Sequence, residues 1–375
     1  MWYCIQYKRI LNYKFNIEYS NNFNYIYIFK LYLSFILGGT MEVITLAHGS
    51  GGEETYKLIN NVFLRYFNND TLKEQGDSAI LDMIKGKIAV TTDSFVVDPI
   101  FFKGGDIGKL SICGTVNDLC VSGATPLYIS VGFILEEGLE IKDLEKIVKS
   151  MADTANKIGV KIVTGDTKVV QSGKGHRIYI NTTGIGYIEK NNHQLNIKEI
   201  REGDAIIISG TIGDHGVSII NERESLDIES VIKSDCAALN ELTKIIMNAS
   251  NEVRIMRDPT RGGLANTLKE LVNNSGKSME IWQKDIPIRD DVRNFCELLG
   301  FDPLYVANEG KLICIVSNKD AHKILNAIKT NPLGREAAII GHVLEDGKSK
   351  LYLKTYIEGT RVLGLLQGEL IPRIC

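Results

Sequence analysis

The chain has no C-x-x-C pair. Its seven cysteines stand apart, at 4, 113, 120, 236, 296, 314 and 375. Such spacing argues against zinc and dithiol-redox chemistry, and an odd count with no framework fits a reducing cytosol. There is also no G-x-x-x-x-G-K-[ST] sequence, and no G-x-G-x-x-G follows a predicted strand, so neither a Walker A loop nor a dinucleotide fingerprint is present. Dense Lys/Arg patches are missing and the net charge is −3, which excludes the electrostatic footprint of a nucleic-acid partner. Long apolar runs are missing too. The stretch near Leu31–Leu37 is far short of the ~20 residues of a spanning helix, so no membrane partner is expected.

What is present is the composition of an ordinary soluble protein, with 375 residues, room for two domains at ~100–200 residues each. Residues 1–40 are crowded with Tyr, Phe, Asn and Ile, and Glu18 is their one acid. They lack the charged start, apolar centre and cleavage site, in that order, of a signal peptide. Met41 opens a segment of normal composition. Residues 1–40 are therefore expected to be a non-native or disordered extension. Residues 41–190 and 191–357 are expected to be two α/β domains, divided at Lys190-Asn191-Asn192-His193, and 358–375 a mobile tail.

Read in order, His48-Gly49-Ser50-Gly51-Gly52 precedes a predicted helix with Leu58, Ile59, Val62, Phe63 and Tyr66 on one face. Glycines ahead of a helix let backbone N–H groups approach an anion. The alternative is a plain loop with Ser50 as cap. Residues 78–98 read as a β-hairpin around Lys85-Gly86-Lys87, with Asp77 before it and Asp93 ending its second strand. Gly104 to Lys109 opens a helix carrying Asn117 and Asp118. Acids at strand ends and a helix start suit Mg²⁺, which keeps waters and bridges phosphates. They also suit helix caps and turns, Asp82 and Asp106 above all.

Strands are predicted at Leu127–Leu135, Val160–Lys168 and Ile178–Ile188, with an amphipathic helix at 141–158. Gly165-Asp166-Thr167-Lys168 is expected as a polar turn at a strand's carboxyl end, where site residues collect. Past residue 193 the predicted elements are a strand at Ala205–Ser209, a loop at Gly210–Gly216, a helix near 235–249 and a strand at Glu252–Arg257. Asp258-Pro259-Thr260-Arg261-Gly262-Gly263 then starts a helix, and Arg261 suits bidentate phosphate contact. Asn308-Glu309-Gly310 precedes a strand at Lys311–Val316, residues 319–330 are helical and 336–354 give two strands. From Glu358, Gly359, Gly364, Gly368 and Pro372 argue against a packed element. The chain closes on Pro372-Arg373-Ile374-Cys375. A terminal cysteine is either incidental or a thiol on a tether, and its neighbouring α-carboxylate should raise the thiol pKa unless Arg373 offsets it.

His48-Gly-Ser-Gly-Gly, Thr92-Asp93-Ser94, Gly104 to Lys109 running into Cys113-Gly-Thr-Val-Asn-Asp118, Gly165-Asp-Thr-Lys168, Asp258-Pro-Thr-Arg-Gly-Gly263, Asn308-Glu-Gly310 and Pro372-Arg-Ile-Cys375 together resemble the HypE family of hydrogenase maturation factors. The resemblance runs from Met41 to the end. Its wider superfamily resembles aminoimidazole ribonucleotide synthetase (the PurM-like proteins), thiamine-phosphate kinase and selenophosphate synthetase. It implies an α+β chain of two PurM-like domains, the first binding ATP, and a cytoplasmic homodimer paired through N-terminal-domain strands. It implies ATP and Mg²⁺ as cofactors. A carbamoyl group would arrive on Cys375 from the carbamoyltransferase HypF and be dehydrated to a thiocyanate. The cyano group would pass to iron on the HypC–HypD complex.

That chemistry asks for cations on the γ-phosphate, a base near the amide nitrogen and a dry site. We expect Asp77, Asp93, Asn117, Asp166 and Asp258 to serve Mg²⁺ and phosphates. His48, Gly49, Ser50, Gly51 and Gly52 are expected to cover the nucleotide, with Asp106, Lys109, Thr167 and Arg261 also at its site. Lys168 and Glu309 are expected to handle the amide proton, and Arg373 to dock the tail. A surface Lys–Glu pair, a solvated His48 and a solvated Arg373 are the bland alternatives. The remaining cysteines, Cys113, Cys120, Cys236, Cys296 and Cys314, sit in apolar contexts and are expected in the core. Two other functions stay open: a small-molecule ATP-dependent ligase or kinase, which leaves the terminal thiol without a purpose, and a non-catalytic carrier, which leaves the nucleotide motifs without one.

Overall fold

Alternating apolar positions build the first sheet. The computed structural model describes residues 42–76, 78–82, 86–189, 195–224 and 232–368. Within them, the first half contributes β1 (Lys87–Phe95), the two-residue pair β2 (Phe101–Phe102) and β3 (Gly105–Asp106), β4 (Thr125–Glu136), β5 (Lys161–Val170) and β6 (Ile178–Ile188). The four long strands run in the order β1-β6-β4-β5, antiparallel except for β4 with β5. A helix begins with α1 (Glu53–Leu58) and continues through a π-helical turn, Ile59–Leu64. It is followed by α2 (Ile107–Val121) and α3 (Ile141–Ile158).

One face of this sheet is covered and the other is open. Phe95, Ile129, Val131, Phe133, Ile178 and Ile180 are buried in one core with residues of α2 and α3. Phe63 stacks on Phe133 with ring centroids 4.9 Å apart. In α3, Leu144, Ile147, Val148 and Met151 recur at helical spacing and are fully buried, each a contribution of roughly 1.5–3 kcal/mol. Ile88 and Val90, on the other face of β1, are 64% and 65% exposed. α2 differs from α3. Thirteen of its fifteen residues are buried, so it is a core helix enclosed on all sides rather than an amphipathic one.

The second half contributes β7 (Ala205–Ile208), α4 (Asp214–Glu224), α5 (Asn240–Ala249), β8 (Val253–Arg257), α6 (Gly263–Ser275), β9 (Ser278–Trp282), α7 (Asp290–Leu299), β10 (Ile313–Val316), α8 (Ala321–Lys329), β11 (Ala338–Leu344), β12 (Leu351–Lys354) and β13 (Thr360–Leu363). The sheet order is β13-β12-β9-β11-β7-β10-β8. Every residue of β7 and β10 is buried, as continuous apolar runs demand when both faces are covered. Ile206 and Ile208 pack with Leu264, Leu268 and Leu271 of α6. Ile207 and Cys314 face the other way, to Leu242 and Ile246 of α5 and Ile324 of α8. Among the described residues no helix is long and apolar enough to cross a membrane.

The elements depart from expectation in four places. The hairpin over 78–98 does not form: residues 78–82 carry no strand, and β1 pairs through nine register positions with the distant β6. An interior partner supplies a longer ladder than a local turn can. Gly165-Asp166-Thr167-Lys168 is not a turn but lies inside β5, paired with β4 as far as Val170. The Gly210–Gly216 loop already begins α4 at Asp214. The stretch expected to be unpacked from Glu358 contains β13, which pairs with β12 and buries Leu363. The five interior cysteines are buried free thiols, as expected. Residues 1–40 and 369–375, Arg373 and Cys375 among them, lie outside the described residues, as does Asp77.

Asn117 ties the two halves together. Its side chain is buried and does not face an open site. Nδ2 donates to Ala237 O at 3.1 Å and Glu309 O at 3.3 Å, and Oδ1 accepts from Leu239 N–H at 2.8 Å. These bonds occupy the amide, so the expected role for Asn117 as an Mg²⁺ and phosphate ligand gives way to a structural one. Asn117→Ala leaves three main-chain groups, those of Leu239 and Glu309 buried and that of Ala237 partly so, without this partner. It should destabilise the protein by about 2–4 kcal/mol, measured as a lower urea midpoint. An unchanged midpoint would show that the junction does not depend on it.

Candidate active site

A cleft of about 660 Å³ opens where β1 and α2 meet the start of α6. Strand alternation turns Thr91, Asp93 and Phe95 of β1 toward α2, and Asp93 Oδ2 would lie 3.9 Å from a Cβ placed at Gly114. Asp118 follows one helical turn after Gly114 and accepts a hydrogen bond from Thr91 Oγ1 at 2.6 Å. From the second half, Asp258 and Arg261 come from the segment after β8, and Glu309 from the turn before β10. Gly263 starts α6 with φ 62°, and a side chain there would meet Val306 O at 2.5 Å. The glycines of this segment thus let it turn close against the chain that carries Glu309.

The cleft is an assembly of acids. Asp93, Asp118, Asp258 and Glu309 line it together with Arg257 and Arg261. Burial, then the Asp118 charge, pushes Asp93 up to about 6, against the pull of Arg261. Burial and Asp118 push Asp258 up to about 7, with Asp93 adding to the rise. Glu309, its residue only 3% exposed, is raised well above the usual carboxyl range by burial and then by Asp258 and Asp235. Among the described residues its Oε1 has no hydrogen-bond partner. A buried acid without a partner is costly unless a proton, a cation or a ligand completes it. No group of three His, Cys, Asp or Glu side chains among the described residues forms a ready cation cage. The arrangement fits a metal that keeps its waters and rests on a few carboxylates plus a bound phosphate.

The structure divides the expected site residues into two groups. Ser94 pairs with Asn181, Asn181 with Gly132, and Gly132 with Asp166. Directly paired residues share a face, so Asp166 and Lys168 lie on the open face of the sheet while Asp93 faces α2. Three strand spacings at ~4.8 Å separate β1 from β5 by about 14 Å. Lys168 Nζ donates to both oxygens of Asp166 at 2.7 Å, and this hydrogen bond holds Asp166 below the usual carboxylate range. Thr167 N–H also donates to Asp166 Oδ1. Lys168 and Glu309 are therefore not brought together within one chain, contrary to the expected pair. The register of β5, invisible when 165–168 is read as a turn, is the reason.

The glycine-rich loop packs on β5 at Val169, whose side chain alternates away from Lys168 toward the covered face. Gly49 packs so closely on β5 that a Cβ would lie 2.8 Å from Val169 N. His48 is buried rather than solvated: Nδ1 accepts from Thr45 N–H at 3.0 Å, and Nε2 is 4.0 Å from Glu54. Ser50 Oγ donates to Ala47 O, and Gly51 N–H to Thr55 Oγ1. Gly52 precedes α1 as its cap residue.

Asp106 is the cap of α2, accepting from Gly108 N–H at 2.7 Å and Lys109 N–H at 3.1 Å. Lys109 Nζ donates to Gly104 O. Neither lines the acidic cleft, so the capping alternative for Asp106 holds. Sequence reasoning passed over Asp118 in favour of Asn117. The signal was available in the helix: Asp118, four residues after Gly114, shares the face that meets β1.

Residues 75–188 match the family described as AIR synthase related protein, N-terminal domain, and residues 201–354 match its C-terminal domain. Carbamoyl dehydratase HypE of Azotobacter vinelandii is 48% identical over 337 residues, covering 90% of this chain and 98% of that protein. The HypE of Escherichia coli K12 is 45% identical over 340 residues, 89% and 100% of the two chains. A crystal structure of HypE in complex with ATP is similar with a TM-score of 0.84 at 45% identity, over 88% of this chain and 99% of that one. A HypE–HypF complex gives 0.72 at 43% identity, over 82% and 99%.

The pH dependence of stability follows from Asp258. With a folded value near 7 and an unfolded value of about 3.9, the folded state binds the extra proton between those limits. Stability therefore falls as pH rises through about 4 to 7, and the penalty is complete above that window. Asp258→Asn should raise the melting temperature at pH 8 without divalent cation by about 2–4 °C. The gain should shrink toward pH 5, and added Mg²⁺ should stabilise the variant less than the parent. A variant less stable than the parent at pH 8 would contradict the repulsion.

Proposed function

The chain belongs to the HypE family of carbamoyl dehydratases of hydrogenase maturation, and we propose that it dehydrates a carbamoyl group carried on its own Cys375. In this reading Cys375–S–C(=O)–NH2 and ATP give Cys375–S–C≡N, ADP and phosphate. The carbonyl oxygen takes the γ-phosphoryl group and leaves as phosphate, while both N–H protons depart. HypF supplies the carbamoyl group, as the complex of a relative with HypF suggests, and HypC–HypD receives the cyano group for the hydrogenase iron.

The observation that carries the reading is Glu309: a buried carboxyl group with one oxygen unpartnered, facing a cleft with three aspartates. A raised proton affinity makes its carboxylate a stronger base than an ordinary glutamate. It is suited to take a proton from the amide nitrogen. Asp93, Asp118 and Asp258 would hold Mg²⁺ against the phosphates, and Arg261 would meet phosphate oxygens. The metal's chemistry is to spread the charge that develops on the transferred phosphoryl group.

Support for delivery of the tail to its own cleft comes from the tail's root. Tyr305 OH donates to Gly364 O at 3.0 Å, and Leu366 N–H donates to Asn266 Oδ1 at 3.2 Å. Asn266 in turn donates to Glu270, which lines the cleft. The nine residue steps from Leu366 to Cys375 span at most about 30 Å. The open sheet face with Ile88, Val90 and Ile134 is the surface we assign to a second copy of the chain. The Lys168 group lies on that face and enters the site through this homodimer.

Incubation with HypF, carbamoyl phosphate and ATP, followed by mass spectrometry of the C-terminal peptide, should show a carbamoyl adduct and then loss of one water. A peptide of unchanged mass would reject Cys375 as the carrier. Glu309→Gln should accumulate the carbamoyl form, with dehydration slowed by on the order of 10²-fold or more. Normal conversion in that variant removes Glu309 from the mechanism.

A further inference from the structure

The turn that carries Glu309 is held from several sides, and Asp235 takes two of its main-chain N–H groups. Its carboxylate accepts Glu309 N–H on Oδ1 at 3.0 Å and Gly310 N–H on Oδ2 at 3.1 Å. Its side chain is 3% exposed, and Lys311 Nζ lies 3.2 Å from Oδ2. Gly310 packs on the same residue: a Cβ there would stand 1.9 Å from Asp235 O. Asn308 secures the other side, accepting from Gly213 N–H at 2.7 Å and donating to Pro259 O at 2.9 Å. Only the Glu309 side chain leaves this clamp, toward the cleft.

We propose that Asp235, with Lys311 as its counter-charge, is a positioning residue for the dehydration step, fixing where the Glu309 carboxyl group stands relative to the cleft. The assignment rests on the reading of Glu309 as the base. An ionised carboxylate taking two successive N–H groups defines both the place and the direction of the turn, and charge-assisted bonds of this kind are about twice as strong as neutral ones. Lys311 supplies a second function. It lets a carboxylate remain charged at a buried junction beside the acidic cleft: against the upward push of burial, Lys311, the Glu309 N–H bond and His215 hold Asp235 below the usual carboxylate range. The nearby Asp214 does not share the task. It accepts from Thr211 and lies 3.3 Å from Arg289.

Asp235→Asn keeps one oxygen acceptor and loses the charge. In complete reactions with HypF, the variant should accept the carbamoyl group and bind ATP with unchanged half-saturation. Single-turnover loss of water from the C-terminal peptide should slow by about tenfold to a hundredfold, the cost of misplacing a reacting group by about 1 Å. The deciding measurement is the double variant Asp235→Asn/Glu309→Gln. If Asp235 acts through Glu309, the double variant is no slower than Glu309→Gln alone. Multiplied losses, or a parental rate in Asp235→Asn alone, overturn the inference while leaving Glu309 in place. A parental rate in Glu309→Gln overturns both readings. Should Asp235→Asn fail to fold, the charge-neutral pair Asp235→Asn/Lys311→Met carries the same comparison.

Discussion

Repulsion among Asp93, Asp118, Asp258 and Glu309 is the constraint the rest of the molecule answers to. Burial first, and then neighbouring acids, raise the proton affinity of Asp93, Asp258 and Glu309, and a chain free to relax would separate these groups. Rigid elements prevent it. Asp93 is fixed by a strand paired over its whole length, and Asp118 by a helix enclosed on nearly every side. Asp258 and Glu309 enter from the second half on segments whose main chains touch: Asn308 N–H donates to Pro259 O at 3.2 Å. A cation and a phosphate bound there, as proposed above, would relieve this repulsion, and ligand binding would then be coupled to stability.

This arrangement explains why the junction is polar where an apolar contact would have been simpler. Asn117 and Asp235 spend their hydrogen bonds on main-chain groups of the segment around 237–239 and of Glu309. Apolar packing fixes a distance but tolerates small slides. Directed hydrogen bonds to N–H and C=O groups fix an orientation as well. A proton-transferring group needs the second.

Much of the framework was readable from residues alone. The helix at 141–158 announces itself through apolar positions at helical spacing, and the strand at 178–188 through alternation. β9 and β13 went unread because they are short and depend on neighbours for their pairing, whereas α7 was missed although Val292, Phe295 and Cys296 recur at helical spacing. Tertiary pairing also decided the fate of β1, whose local hairpin signal was genuine but lost to a nine-pair ladder. In the site, Asp93, Asp258, Arg261 and Glu309 were named from sequence and share the cleft. Asn117 and Asp106 were named for residue type, yet their side chains are consumed by the junction and by a helix cap. Residue type says what a side chain can do. Which face it lies on and which partner already claims it are settled by packing; Asp235 became visible only there, whereas the helical spacing that marks Asp118 was available and unused.

The separation of Asp166 and Lys168 from the acidic cleft is informative. An exposed lysine paired with an exposed aspartate is worth little to stability, so their pairing does not explain why a strand keeps both side chains out on an open face. Apolar Ile88, Val90 and Ile134 on that same face cannot all remain in water without cost. A second copy covering the face would remove both difficulties: the apolar residues would be buried, and the lysine would acquire a setting in which its charge matters. In the proposed dimer a single chain would supply two half-sites on opposite faces of one sheet, and the three strand spacings of about 14 Å between β1 and β5 would be bridged through the partner rather than within the chain.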